Sequence, residues 1–114
     1  MLGIMPDFYN LRDFQRGWIV GNFEPSIEKM EACEVSIMHH KMGEETTPHL
    51  HTSSREINVV ISGRLLVDNK TIASSDIFTY NANEISNVEF LSDTILCIIR
   101  VPSAPNDKII VEHS

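Results

Sequence analysis

The sequence predicts an all-β fold, a single small barrel or sandwich. Short runs rich in β-branched and aromatic residues recur along the chain, with Gly, Pro, Asn, Asp and Ser turn signals about every 6–12 residues. No stretch keeps the apolar period of a long amphipathic helix. A chain of 114 residues has room for one hydrophobic core, and should bury roughly two-thirds of its unfolded surface without disulfide staples.

The elements follow in order. Residues 1–15 mix Pro6, Asp7, Asn10 and Asp13 with Phe8, Tyr9 and Phe14, the make-up of an irregular arm with a few apolar anchors. Gly17–Gly21 reads as a first strand, apolar and bounded by glycines. Pro25 and the charges around it make Asn22–Ala32 a loop, with one helical turn N-capped by Ser26. Cys33–Met42 is a strand ended by Gly43, and Pro48 sets the backbone extended before His49. A short loop, Thr52–Arg55, leads to a strand at Glu56–Ser62 that turns at Gly63. Arg64–Val67 and Thr71–Ala73 form a hairpin around Asp68-Asn69, residues suited to a tight turn.

Strands at Ile77–Tyr80, Ile85–Phe90 and Thr94–Val101 come next, with turns between them. Asn81-Ala82-Asn83 and Pro105-Asn106-Asp107 are turn chemistry by residue type, with a structural role. Lys108–Val111 ends the chain's pattern as an edge strand. The arm and first strand (1–32) and the C-terminal segment (102–114) thus flank a barrel over 33–101, all one domain.

Charge and composition exclude several functions. The formal charge is −7, and the nine Lys and Arg residues are scattered, so a phosphate backbone has no basic surface to meet. The start MLGIMPDF lacks the features of a signal peptide. No apolar run approaches the ~20 residues of a membrane helix. Cys33 and Cys97 have no C-x-x-C spacing and read as buried thiols. The expectation is a cytoplasmic protein with neither nucleic acid nor membrane as partner.

Potential metal ligands concentrate between Gly43 and Gly63. His49 and His51 are two apart, so on an extended chain both imidazoles point to one side. Glu56 opens the next strand, where the loop brings it back beside them. Two imidazoles and a carboxylate form a facial set with open positions, suited to a divalent metal ion: Fe, Mn, Zn, Ni or Cu. Other residues compete for the pocket. Asn58 shares the inward face with Glu56, as a group steadying a ligand or as a substrate contact. Tyr80 would place its hydroxyl at the barrel mouth or pack in the core. Arg100 would bind an anion or reach solvent from its strand end.

The spacing Gly43-x5-His49-x-His51-x4-Glu56-x6-Gly63 resembles the first motif of the cupin superfamily at every fixed position. The resemblance covers roughly Cys33 to Val101 and implies a double-stranded β-helix, the jelly-roll barrel of small single-domain cupins. In the second motif Ser75 and Asn83 replace glycines, Asn81 replaces proline, and Asp76 keeps the usual acidic residue. Ser86 stands where the family's further histidine ligand belongs, and Phe90 where its asparagine does. The resemblance therefore implies three ligands, His49, His51 and Glu56, with Ser86 on the substrate side.

Three outcomes follow for the site. Water fills the fourth position; or Glu84, His39 or His40 does; or the histidines bind a ligand with no metal. Adjacent strand residues face opposite ways, so only one of His39 and His40 can look inward. The expected function is metal-dependent chemistry on a small organic molecule, dioxygenase-like or sugar-isomerase-like. The alternative is a non-enzymatic module that stores or senses a small ligand. Resemblance also implies a homodimer.

Overall fold

The computed structural model describes residue 3 and residues 5–112; part of the predicted N-terminal arm and the last two residues lie outside these. Eleven strands carry the described chain: β1 (Trp18–Gly21), β2 (Glu28–Lys29), β3 (Glu34–His40), β4 (His49–His51) and β5 (Arg55–Ser62). They continue as β6 (Arg64–Val67), β7 (Lys70–Ala73), β8 (Ile77–Tyr80), β9 (Val88–Phe90), β10 (Thr94–Val101) and β11 (Lys108–Ile110). One sheet has six strands in the order β2-β1-β3-β10-β5-β8. Opposite it lie a three-stranded sheet, β7-β6-β9, and a pair, β11-β4. An antiparallel bridge between His49 and Ser86 joins these two smaller pieces. The result is the jelly-roll barrel that the cupin resemblance implies, within the all-β class that the strand pattern predicts.

Burial follows from the pleat. Successive residues of a strand face opposite ways, so the inward residues of β3, β10, β5 and β8 fall into rows across the large sheet. At one end Glu34, Arg100, Glu56 and Tyr80 stand side by side; the next row is Ser36, Ile98, Asn58 and Phe78. The third row, Met38, Leu96 and Val60, is wholly apolar. Leu65, Ile72 and Phe90 from the three-stranded sheet close over it and complete the core. Each large apolar side chain buried there contributes about 1.5–3 kcal/mol. The barrel thus has a dry floor and a polar mouth.

The turns obey the same local chemistry. Asp68 and Asn69 both have positive φ, 47° and 70°, which is the two-residue turn that matches strand twist. Gly63 turns at φ +100°, and a Cβ there would lie 2.4 Å from the Asp93 carbonyl oxygen. Ser75 and Asn83, at the places of two family glycines, sit at φ 77° and 70°. The left-handed turns survive the loss of glycine.

Two predicted elements differ. No helical turn starts at Ser26: its hydroxyl donates to the Glu28 carbonyl (2.8 Å), and β2 runs parallel to β1. The strand predicted over Ile85–Phe90 is regular only from Val88, because Ser86 exchanges backbone hydrogen bonds with His49 (2.7 and 3.3 Å) rather than with β6. The predicted arm carries two 3-10 turns, Leu11–Asp13 and Gln15–Gly17.

Candidate metal centre

β4 and β5 bring the histidines and the glutamate together at the polar mouth. One ligand atom from each of His49, His51 and Glu56 lies within 4.8 Å of the other two. His51 and Glu56 are buried, and His49 is partly so. The hydrogen bonds on the far side of each ring fix what faces inward. His49 Nδ1 donates to the Thr47 carbonyl (3.0 Å), and a carbonyl can only accept. His51 Nδ1 donates to Asp107 Oδ1 (2.7 Å). Each ring therefore keeps the lone pair on Nε2 for the site, the arrangement in which imidazoles ligate metals.

Asp107 is built to hold that role. Burial pushes its carboxyl up, but hydrogen bonds from His51 and from the Ser53 and Ser54 backbone N–H groups outweigh this and hold it below the usual value. Both backbone bonds, to Oδ2, are 3.0 Å long. An ionised carboxylate accepts only, so the His51 proton stays on Nδ1. Burial also pushes the His49 imidazole below its ordinary range, favouring the neutral ring.

His51 Nε2 and Glu56 Oε2 are 3.7 Å apart and make no hydrogen bond with each other or with anything else described. That is too long for a hydrogen bond. It is close to the separation of two ligands on one ion, about 3–3.6 Å for bonds of ~2.1 Å. Two buried acceptors this close, with no hydrogen bond between them, leave lone pairs that a cation could take up. The donor set fits a divalent metal ion.

The other predicted residues divide. Ser86 is buried and lines the cavity beside His49. Asn58 is 2% exposed, lines the cavity, and its Nδ2 has no partner. Arg100 does not reach out from its strand end into solvent; its guanidinium lies 4.7 Å above the Trp18 ring, with Nε 3.6 Å from Glu56 Oε2. Tyr80 stands in the mouth row beside Glu56 but does not line the cavity. On the outer strand β8 it is buried with its ring edge-on to Phe78, and its hydroxyl is outside the cavity lining. Burial pushes its phenol above the ordinary value.

None of the proposed fourth ligands joins the group. Glu84 accepts the Asn81 N–H (2.7 Å) in its own turn. His40 stacks on Phe90 and pairs with Glu44, while His39 is exposed on the opposite face of β3. Among the described residues the candidate group stays at three: His49, His51 and Glu56.

Sequence reasoning missed Asp107, read there as turn chemistry, because its partner is 56 residues away. The only signal was an acidic residue immediately before a strand able to pair with the H-x-H strand. It also missed Glu34, buried opposite Arg100. Burial raises the Glu34 carboxyl above its ordinary value, against the lowering effect of Arg100 and the Ala104 N–H.

The cavity above this group has a volume of about 490 Å³. No family model matches the sequence, and neither does any curated protein. Solved structures do match. A protein from Klebsiella pneumoniae with a double-stranded β-helix domain superposes with a TM-score of 0.72 at 14% identity, over 98% of this chain and 100% of its own. A cupin superfamily protein from Desulfitobacterium hafniense gives 0.57 at 12% identity, over 64% of this chain and 70% of that one.

This is the cupin fold. A DMSP lyase from Ruegeria pomeroyi gives a TM-score of 0.69 at 9% identity over 82% of this chain; the match spans about half, 49%, of the lyase. These identities bear on the fold alone, and the chemistry of this chain rests on its own residues.

Proposed function

We propose that this cupin holds a divalent metal ion through His49, His51 and Glu56 and acts on a small organic molecule bound in the barrel. The observation that carries the reading is the pair of buried acceptors without a hydrogen bond among the described residues, His51 Nε2 and Glu56 Oε2, grouped with His49 behind a fixed tautomer. A lyase among the structures of like fold supports reading the cavity as a place for chemistry on a small molecule. A bound ion would act as a Lewis acid toward a substrate oxygen.

The chain's own groups do the rest. Asp107 and the Thr47 carbonyl orient the two rings. Ser86, in place of a fourth ligand, leaves room on the cavity side. Met38, Val88, Phe90, Leu96 and Ile98 give the cavity an apolar wall that excludes bulk water from the reacting groups. Elemental analysis of protein purified without added metal tests the reading. About one equivalent per chain is expected, falling to background in His51→Ala and Glu56→Ala while the far-ultraviolet circular dichroism is kept. Less than about a tenth of an equivalent in the unaltered protein, or metal retained in both variants, refutes it.

A further inference from the structure

Five buried polar atoms have no hydrogen-bond partner among the described residues, and they sort by chemistry. His51 Nε2 and Glu56 Oε2 are acceptors and belong to the metal group. Asn58 Nδ2 and Arg100 Nε are donors, and both side chains line the same cavity. The fifth, the Tyr80 hydroxyl, lies off it. A buried donor without an acceptor is costly. Two such donors lining one cavity, on adjacent strands and next to the metal group, call for oxygen acceptors on the occupant.

Arg100 is held for this task. Trp18 supports its guanidinium from below, at 4.7 Å, and Glu34 and Glu56 flank it across β3 and β5. Arg16 and Lys108 stand on the rim of the same cavity. Three of the nine basic residues of an acidic chain thus meet at one cavity. Five carboxylates also line it. Glu44 pairs with His40, Glu24 with Lys29 (3.8 Å), Glu34 accepts the Ala104 N–H (3.2 Å), and Glu56, of the metal group, lies 3.6 Å from Arg100 Nε, beyond hydrogen-bond length. Glu45 stands exposed at the rim.

We propose that the cavity takes a small organic molecule through an oxyanion group, carboxylate or phosphate, which accepts hydrogen bonds from Arg100 and Asn58 beside the ion held by His49, His51 and Glu56. The planar fork of arginine matches two oxygens of such a group, and the Asn58 amide supplies a further donor. The proposal rests on the metal reading for the neighbouring ion, and on this chain's unpaired donors for the oxyanion.

The test is calorimetric titration of metal-loaded protein with malonate, succinate, glycerol phosphate and glycerol. At least one anion should bind, glycerol should not, and the preferred anion separates carboxylate from phosphate. Arg100→Gln and Asn58→Ala should each weaken the anion at least about tenfold. Arg100→Lys should recover only part of the loss, since a point charge lacks the fork.

Metal content and circular dichroism accompany every variant, and Asn58→Ala decides if Arg100→Gln loses its metal or its fold. Anions that bind no better than glycerol, or equally well to the variants, overturn the proposal while bound metal leaves the earlier reading standing. If the protein retains no metal, that reading fails separately and the same titrations still decide. Anion binding lost in the variants keeps the oxyanion assignment, and its absence overturns that too.

Discussion

Asp107→Asn replaces one oxygen of the site's support by an NH2 group and should disable it. Asp107 accepts three hydrogen bonds: from His51 Nδ1 (2.7 Å) and from the Ser53 and Ser54 N–H groups (3.0 Å each). Asparagine has one acceptor and one NH2. If its oxygen serves Ser53 and Ser54, the NH2 faces His51 Nδ1, which must then accept. The His51 proton moves to Nε2 and occupies the lone pair meant for the metal. If the amide flips, its NH2 opposes two backbone donors instead.

Either way an interaction is lost in a site where both side chains are 6% exposed. Losing such an outer hydrogen bond costs 10–100-fold in metal affinity, about 1.4–2.7 kcal/mol, and tautomer inversion places this variant at the upper end. Fold stability should drop by about 1.5–3 kcal/mol.

Competition against a chelator of known affinity reads the first quantity, and thermal or urea unfolding the second. The pH profile adds a signature. Asp107 has a folded pKa below its ordinary 3.8, so its stabilisation is complete above that value and is lost as pH falls through the folded value. The variant should lack that acid limb. Metal affinity within about threefold of the unaltered protein would refute the tautomer argument.

Three further substitutions probe other parts of the site. Ser86→His should tighten metal binding roughly tenfold, or ~1.4 kcal/mol, because Ser86 and His49 are directly paired and their side chains emerge on one face; unchanged affinity would mean that the new imidazole does not reach the ion. Asn58→Leu, nearly isosteric, should raise stability by about 1–3 kcal/mol by removing a buried unpaired amide, and a lower melting temperature would contradict this. Glu34 has a folded pKa raised above its ordinary 4.5, so it favours folding less as pH climbs from that value through the folded one. Glu34→Gln should remove this slope and stabilise the protein at neutral pH; parallel unfolding profiles for the two proteins would exclude it.

What the sequence made legible was local. His49, His51 and Glu56 are neighbours along the chain, so strand periodicity alone put two rings on one side and the carboxylate beside them. Asp68-Asn69 and Gly63 announced their turns because positive φ restricts residue type. The hidden parts depend on pairing between distant strands. Glu34, Arg100 and Glu56 become a row only through the register of β3, β10 and β5, which no single segment encodes. Asp107 reaches His51 only because β11 pairs with β4, placing Lys108 opposite His51.

The same register explains why the site lies where it does. Glu56 and Arg100 are each one residue from the end of a long central strand, β5 and β10. Moved one row inward, they would meet Ile98 and Asn58; two rows inward, Leu96, Val60 and Met38, where nothing could offset the loss of water around two charges. At the strand ends the loop Thr52–Ser54 and the turn before β11 supply backbone N–H groups and a carboxylate, and the cavity stays open to a ligand. The unpaired atoms cluster at this end: His51, Glu56, Asn58, Tyr80 and Arg100 all lie on β4, β5, β8 or β10 within the first two rows or the strand facing them. A core assembled for stability alone would have paired or removed them. Their concentration where strand ends meet loops is the feature that the proposed metal and oxyanion sites would use.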